Sequence, residues 1–269
     1  MGLKINSDVP SIFARRQADR AANSLRINQE RLSSLLRINR AFDDAAGLAI
    51  AERFSSQVRQ FNQEINSFQS GSNLIDTAEG ALAGQSDVIG RIRELAVQAS
   101  NGILNDDQRA AINQEAQQLL EQIDTTAQTA DFNGINPLND GDQQIALDAA
   151  GAVELNFEES TTASIDLQNV DLSTQAGARD ALSALDDAQT AINSNRASLG
   201  AQQNGIRTSI EERSNASINL QEAESRIRDL DVARAFLDQT RNEILLKAGI
   251  AAIAQSNTQS RNAAALLGG

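Results

Sequence analysis

Reactive side chains are scarce in this 269-residue chain, and those present sit at spacings that do little chemistry. It has no Cys, His, Trp or Tyr. That removes thiol nucleophiles, disulfides, zinc–thiolate sites and the commonest general base. Asn139-Asp140-Gly141-Asp142 has the composition of a calcium-loop fragment, but the spaced ligand series and closing Glu are absent. An acidic turn before a strand is the expectation. Asp43-Asp44 and Glu158-Glu159 are paired carboxylates. Adjacent residues on a helix or strand diverge, whereas acid–base work needs two carboxyls converging on one site. Asn215-Ala216-Ser217 is a lone glycosylation sequon inside a helical pattern, and no phosphate loop or nucleophile elbow occurs. The reading is a non-enzyme with no metal and no cofactor.

Composition points to long helices. About one residue in six is Ala, with 25 Gln and 23 Asn, and aromatics are 3%, all Phe. Ala lets helices approach closely and Gln favours helix. Net charge is −13, distributed as +5 over 1–42, +2 over 232–269 and −20 between them. Residues 131–175 hold nine acids and no Lys or Arg. An acidic chain argues against nucleic acid as a partner, while the basic ends suit an acidic protein surface such as another copy. Met1-Gly2-Leu3-Lys4 leads to Asp8 and Pro10 with no apolar run, so no cleaved signal peptide is expected. Ile244–Ala254 is too short to span a bilayer, and no membrane partner is expected.

Periodicity supplies the elements. A first helix is expected from Ile12 to about Arg40, with Leu25/Leu32 and Leu35/Phe42 seven apart. Phe54, Phe61, Phe68, Ile75, Leu82, Ile89 and Ala96 then keep a strict seven-residue stripe, a coiled-coil signal. Asn105-Asp106-Asp107 caps a third helix carrying Ile112, Ala116, Leu119, Ile123 and Ala127. From 135 to 175 the period changes to two. Ile145 and Leu147 pair with Leu155 and Val153 if a three-residue loop, 149–151, puts Gly151 in the left-handed position. Ile165 and Leu167 are a candidate third strand. The heptad returns in Leu185, Ile192, Leu199, Ile206, Arg213, Leu220 and Ile227, which only Arg213 breaks, with Gly200 and Gly205 as candidate bends. A last segment carries Leu237, Ile244, Ala251, Thr258 and Ala265. The expected fold is mainly α: long antiparallel coiled-coil helices forming a rod, with a small β-hairpin module. The terminal stripes lack a partner nearby, so Leu25, Leu32, Leu35, Leu237, Ile244 and Ala251 are candidate subunit-interface residues.

Several segments resemble bacterial flagellin, the subunit of the flagellar filament. They are Glu30–Ser34 with Leu36–Asn39, Asp43–Ile50, Thr77–Leu82, Ile92–Gln98, Phe132-Asn133-Gly134, Leu199–Asn204, Ser225–Asp229 and Ala254–Asn257. Motif order is kept over roughly 1–135 and 178–269. Leu35 departs from the family's usual Gly, Phe42 from a small or polar residue, and Gly268-Gly269 extends the tail. The resemblance implies an inner coiled-coil domain from 1–44 with 232–269, and an outer rod from 45–231 with its β module at about 135–175. It implies a helical homopolymer used for motility, unfolded export without a cleaved signal to the extracellular filament, a chaperone on the C-terminal segment, and hook-associated and cap proteins as partners. An innate immune receptor is implied to read Arg91, Leu95 and Glu115. Ser160, Thr161 and Thr162 are candidate glycosylation sites beside the acidic stretch. A hook–filament junction protein and a chemoreceptor-like signalling coiled coil are the alternative readings.

Overall fold

The computed structural model describes residues 9–140, 143–148 and 153–267. In chain order it contains α1 (Val9–Ser34), α2 (Ala45–Ala99), α3 (Asp106–Thr129), β1 (Gln143–Ala146), β2 (Glu154–Phe157), α4 (Gln175–Arg228) and α5 (Val232–Leu267). These gather into two compact units: Met1–Val58 with Ile218–Gly269, called the terminal unit below, and Arg59–Ser217, the central unit. Their boundaries fall inside α2 and α4, whereas the expected divisions lay at the 44/45 and 231/232 junctions. Among the described residues no helix is long and apolar enough to cross a membrane.

In the terminal unit, α1 stops at Ser34 instead of running to Arg40. Leu35 adopts φ +59°, in the left-handed region. For a residue with a Cβ that conformation costs about 1–2 kcal/mol; among the described residues the other non-glycine ones at positive φ are Asn133 and Asp166, the types that tolerate it. The chain then makes a short antiparallel bridge, Leu36 to Asp229. The Arg37 N–H donates to the Arg228 carbonyl at 2.7 Å and the Leu230 N–H to the Leu35 carbonyl at 3.0 Å. Asp44 starts α2 by accepting from the Gly47 N–H at 2.8 Å, as acids at a helix N-terminus should.

The central unit has its core where the heptads placed it. Phe68, Ile75, Leu82, Ile89 and Ala96 on α2 are buried, as are Leu185, Ile192, Leu199 and Ile206 on α4. Polar pairs flank that seam: Asp76–Gln203 and Glu79–Arg196 at 2.7 Å, Ser86–Gln189 and Arg93–Asp186 at 2.8 Å. Partner numbers rise on α2 as they fall on α4, so the helices are antiparallel. Exposed pairs of this kind contribute at most about 1 kcal/mol each; their main effect is to select one register. Helix α4 runs uninterrupted through Gly200 and Gly205.

Asn105 caps α3 in a capping box with Gln108. The nearby Arg109, buried, donates to the carbonyls of Ala99, Asn101 and Leu104. A cation there satisfies acceptors that the end of α2 leaves open. The hairpin pairs Ile145 with Leu155, and the Leu147 N–H bonds the Val153 carbonyl at 2.9 Å, which is the register expected from a three-residue loop. The loop tip, Gly151 included, and Asp142 lie outside the described residues. Ile165 and Leu167 form no third strand. They are buried, but as anchors of a wound turn in which their N–H groups bond the Thr161 and Thr162 carbonyls.

Arg213, the residue that breaks the α4 heptad, has a structural reason to be there. Its guanidinium lies 2.9 Å from Glu64 and 3.9 Å from Asp148, and 5.3 Å from the Phe61 ring centroid. Both carboxylate side chains are largely buried, at 12% and 2% exposure, so one cation links α2, α4 and the hairpin. Arg213→Leu would complete the apolar stripe yet take the cation away from two largely buried carboxylates. The expected result is a loss of about 2–3 kcal/mol in urea unfolding at neutral pH. An unchanged or raised stability would show that the carboxylates do not depend on Arg213.

Candidate assembly and recognition surfaces

The terminal stripes lack a partner nearby in sequence, while the resemblance implied a coiled coil of 1–44 with 232–269; the structure pairs the two ends of the chain. Helices α1 and α5 pack on each other, with Cα atoms within 8 Å, by a stripe that large apolar residues alone trace only in part. Gly249 faces Ala18 so closely that a Cβ on the glycine would lie 3.0 Å from the Ala18 Cβ. Counting outward from that contact in antiparallel register pairs Ala14 with Ile253, Ala21 with Leu246, Leu25 with Asn242, Asn28 with Gln239 and Leu32 with Ala235. All of these are buried or half-buried. The spacing alternates three and four on both helices, a coiled-coil seam. Small residues on it permit the close approach.

The six predicted interface residues divide accordingly. Leu25 and Leu32 are half-buried on the seam inside the chain. Leu35, Leu237 and Ile244 are exposed, as is Ala251. Leu237, Ile244 and Ala251 each lie two residues beyond a seam position, roughly 200° around the helix, and so point away from α1. On α1 the exposed Val9 and Ile12 lie on the side turned away from α5, with Phe13 on its flank. Every large apolar side chain exposed among the described residues belongs to this unit except Val97 and Ile103. Among the described residues its buried apolar side chains are Ala18, Ala21, Ile38, Ala51, Val58 and Ala235, mostly alanine.

One titratable group ties this unit together. Burial disfavours the charge of Asp43, but the N–H groups of Arg40 and Asn39 and the Arg31 guanidinium outweigh that and hold its carboxyl below the usual carboxylate range. The three donors stand 3.1–3.3 Å from its oxygens. Asp43 thereby fastens the end of α1 to the turn before α2.

In the central unit, Arg91 and Glu115 do meet, at 3.0 Å on the exposed surface, with Glu94 on the same guanidinium at 2.8 Å. Leu95 does not join them. It is 2% exposed and part of the core, away from the surface on which that pair lies. With both α3 and α4 packing on α2, the buried arc is wider than a two-helix seam and takes in the position before Ala96. Of the three modification candidates, one is enclosed and two are half-buried. Ser160 is fully buried and donates to Gln85 Oε1 at 2.7 Å. Gln85 in turn donates to the carbonyls of Ile123 and Ser160. The half-buried Thr161 and Thr162 donate their hydroxyls to Glu159 and Asp124. These hydroxyls fasten the loop after β2 to α2 and α3. Among the described residues no group of three or more acidic side chains is placed to hold a metal ion.

Comparison with known proteins gives two family matches. The bacterial flagellin N-terminal helical region matches residues 5–142, and the flagellin C-terminal helical region matches 182–267. A flagellin of Halalkalibacterium halodurans is 39% identical over 269 residues, covering 98% of this chain and 99% of that one. The flagellar filament 33 kDa core protein of Treponema phagedenis is 38% identical over 283 residues, with the same coverage. The crystal structure of Bacillus cereus flagellin is 29% identical over 54% of this chain and 86% of its own, with a TM-score of 0.48.

Asp43 sets an expectation for pH. A carboxyl depressed in the folded state adds stability above its unfolded value of about 3.9 and loses it as pH falls through the lower folded value. Asp43→Asn is therefore expected to melt earlier than the parent at neutral pH by circular dichroism, with the gap closing as pH falls below about 4. A gap independent of pH would remove the carboxylate charge from the account.

Proposed function

The chain belongs to the bacterial flagellin family and is a structural subunit of the flagellar filament, and we propose that copies polymerise through the outer faces of α1 and α5. One observation carries this reading: apolar side chains are exposed on opposite sides of the paired helices. No single flat partner covers both sides, whereas neighbours in a closed helical array do. The functional inner region is then 1–44 with 232–269. The basic charge of these helices against the acidic remainder suits contact between copies. Because Leu237, Ile244 and Ile250 stay exposed on α5, a chaperone covering that segment before export, and hook-associated and cap proteins at the filament ends, are the further partners. Export without a cleaved signal peptide completes the route to the extracellular filament. The exposed Arg91–Glu115 pair is the feature an innate immune receptor would read; Arg91→Ala should then weaken a reporter response to monomer, and an undiminished response would exclude the pair.

Assembly is tested by Leu237→Asp combined with Ile244→Asp. Both positions are exposed in the single chain, so the variant should keep its helical circular dichroism. Seeded solutions should give no filaments by electron microscopy. Normal filaments from the double variant would overturn the assignment of this face.

A further inference from the structure

Leu35 carries two unfavourable features at once. Its φ of +59° is a left-handed conformation that a Cβ resists, and its side chain is 57% exposed. Glycine would remove both, and the position just past a helix end is where glycine is ordinarily at home. The hydrogen bond at this position uses the backbone of Leu35 and not its side chain, the carbonyl accepting from the Leu230 N–H at 3.0 Å. The same bond sets Leu35 beside the start of α5, where Val232 and Phe236, four apart on one helix face, are also exposed. An apolar side chain held out in a strained conformation next to two more is shaped for contact with something outside the chain.

We propose that Leu35, with Val232 and Phe236, forms a specific copy-to-copy contact in the polymer, the occupant being a second copy of this chain. The site is continuous with the exposed apolar surface of the terminal unit, to which all but Val97 and Ile103 of the exposed large apolar residues among those described belong, and the inference rests on polymerisation through that unit. The strain in each free subunit is then offset only on assembly, so monomer stability and polymer stability respond to this residue in opposite directions.

That opposition is the test. Leu35→Gly and Leu35→Asn should both raise the thermal midpoint of the monomer while raising the critical concentration for seeded polymerisation severalfold. A critical concentration equal to or below that of the parent, or a lowered thermal midpoint in both variants, overturns the proposal. Because the chain has no cysteine, Leu35→Cys adds a unique thiol, which should react with a small maleimide in monomer and be protected in filaments. Equal reactivity in the two states also overturns it. A parent chain that forms no polymer would refute the filament reading itself, an outcome distinct from a normal parent with an indifferent Leu35.

Discussion

Among the described residues the terminal helices bury little apolar surface against each other and expose much of it. The seam between α1 and α5 is built from Ala14, Ala18, Ala21, Ala235 and Gly249 with polar neighbours, and its leucines and isoleucine are only half-buried. A methyl-sized group removed from water contributes about 0.8 kcal/mol, while ordering one residue's backbone costs about 1–2 kcal/mol. A seam of small residues therefore brings two helices close without strongly stabilising the pair. The larger side chains, among them Phe13, Phe236, Leu237 and Ile244, lie outside it. On the proposed reading, that imbalance is what neighbouring copies offset in the filament.

The central unit answers the opposite demand. Phe68, Ile75, Leu82, Ile89, Leu185, Ile192 and Leu199 are nearly or fully enclosed, and polar groups fix what apolar packing leaves free to slide. The ladder from Asp76–Gln203 to Arg93–Asp186 selects register. Gln85 and Arg109 satisfy buried carbonyls, and Arg213 joins the hairpin to two helices. Unsatisfied, such groups would cost about 1–3 kcal/mol each; satisfied, they specify one arrangement. Most described acids of the 131–175 stretch are exposed, and Asp148 is the one drawn into the interior beside Arg213.

Much of this was legible in the residues. Seven-fold stripes of large apolar side chains marked α2 and α4, and alternation with a three-residue loop gave the hairpin register. What escaped had a physical reason in each case. The α1–α5 seam mixes Leu25, Leu32, Leu246 and Ile253 with Ala, Asn, Gln and Gly, so large apolar residues alone trace only part of it, although Ala14/Ala21/Asn28 and Ala235/Asn242/Gly249 recur at seven. Leu95 lies one position outside the seven-residue stripe that ends at Ala96, and it is buried because α3 packs on α2 beside α4. Ile165 and Leu167 alternate like a strand, but a wound turn buries the same positions. Ser160, Thr161 and Thr162 resembled a solvated polar run, and only the fold brings Gln85 and Asp124 to meet Ser160 and Thr162. Leu35 ends α1 through its backbone angle, for which its side-chain type gives no warning.

The most direct measurement of the central claim is amide hydrogen exchange on the same chain as monomer and as filament. The account predicts that α1 and α5 exchange rapidly in the monomer and at least ~100-fold more slowly in the filament. The α2 stretch from Phe68 to Ala96 should be well protected in both. Terminal helices protected in the monomer as strongly as that stretch would mean that the terminal unit is complete within one chain, and would contradict the account.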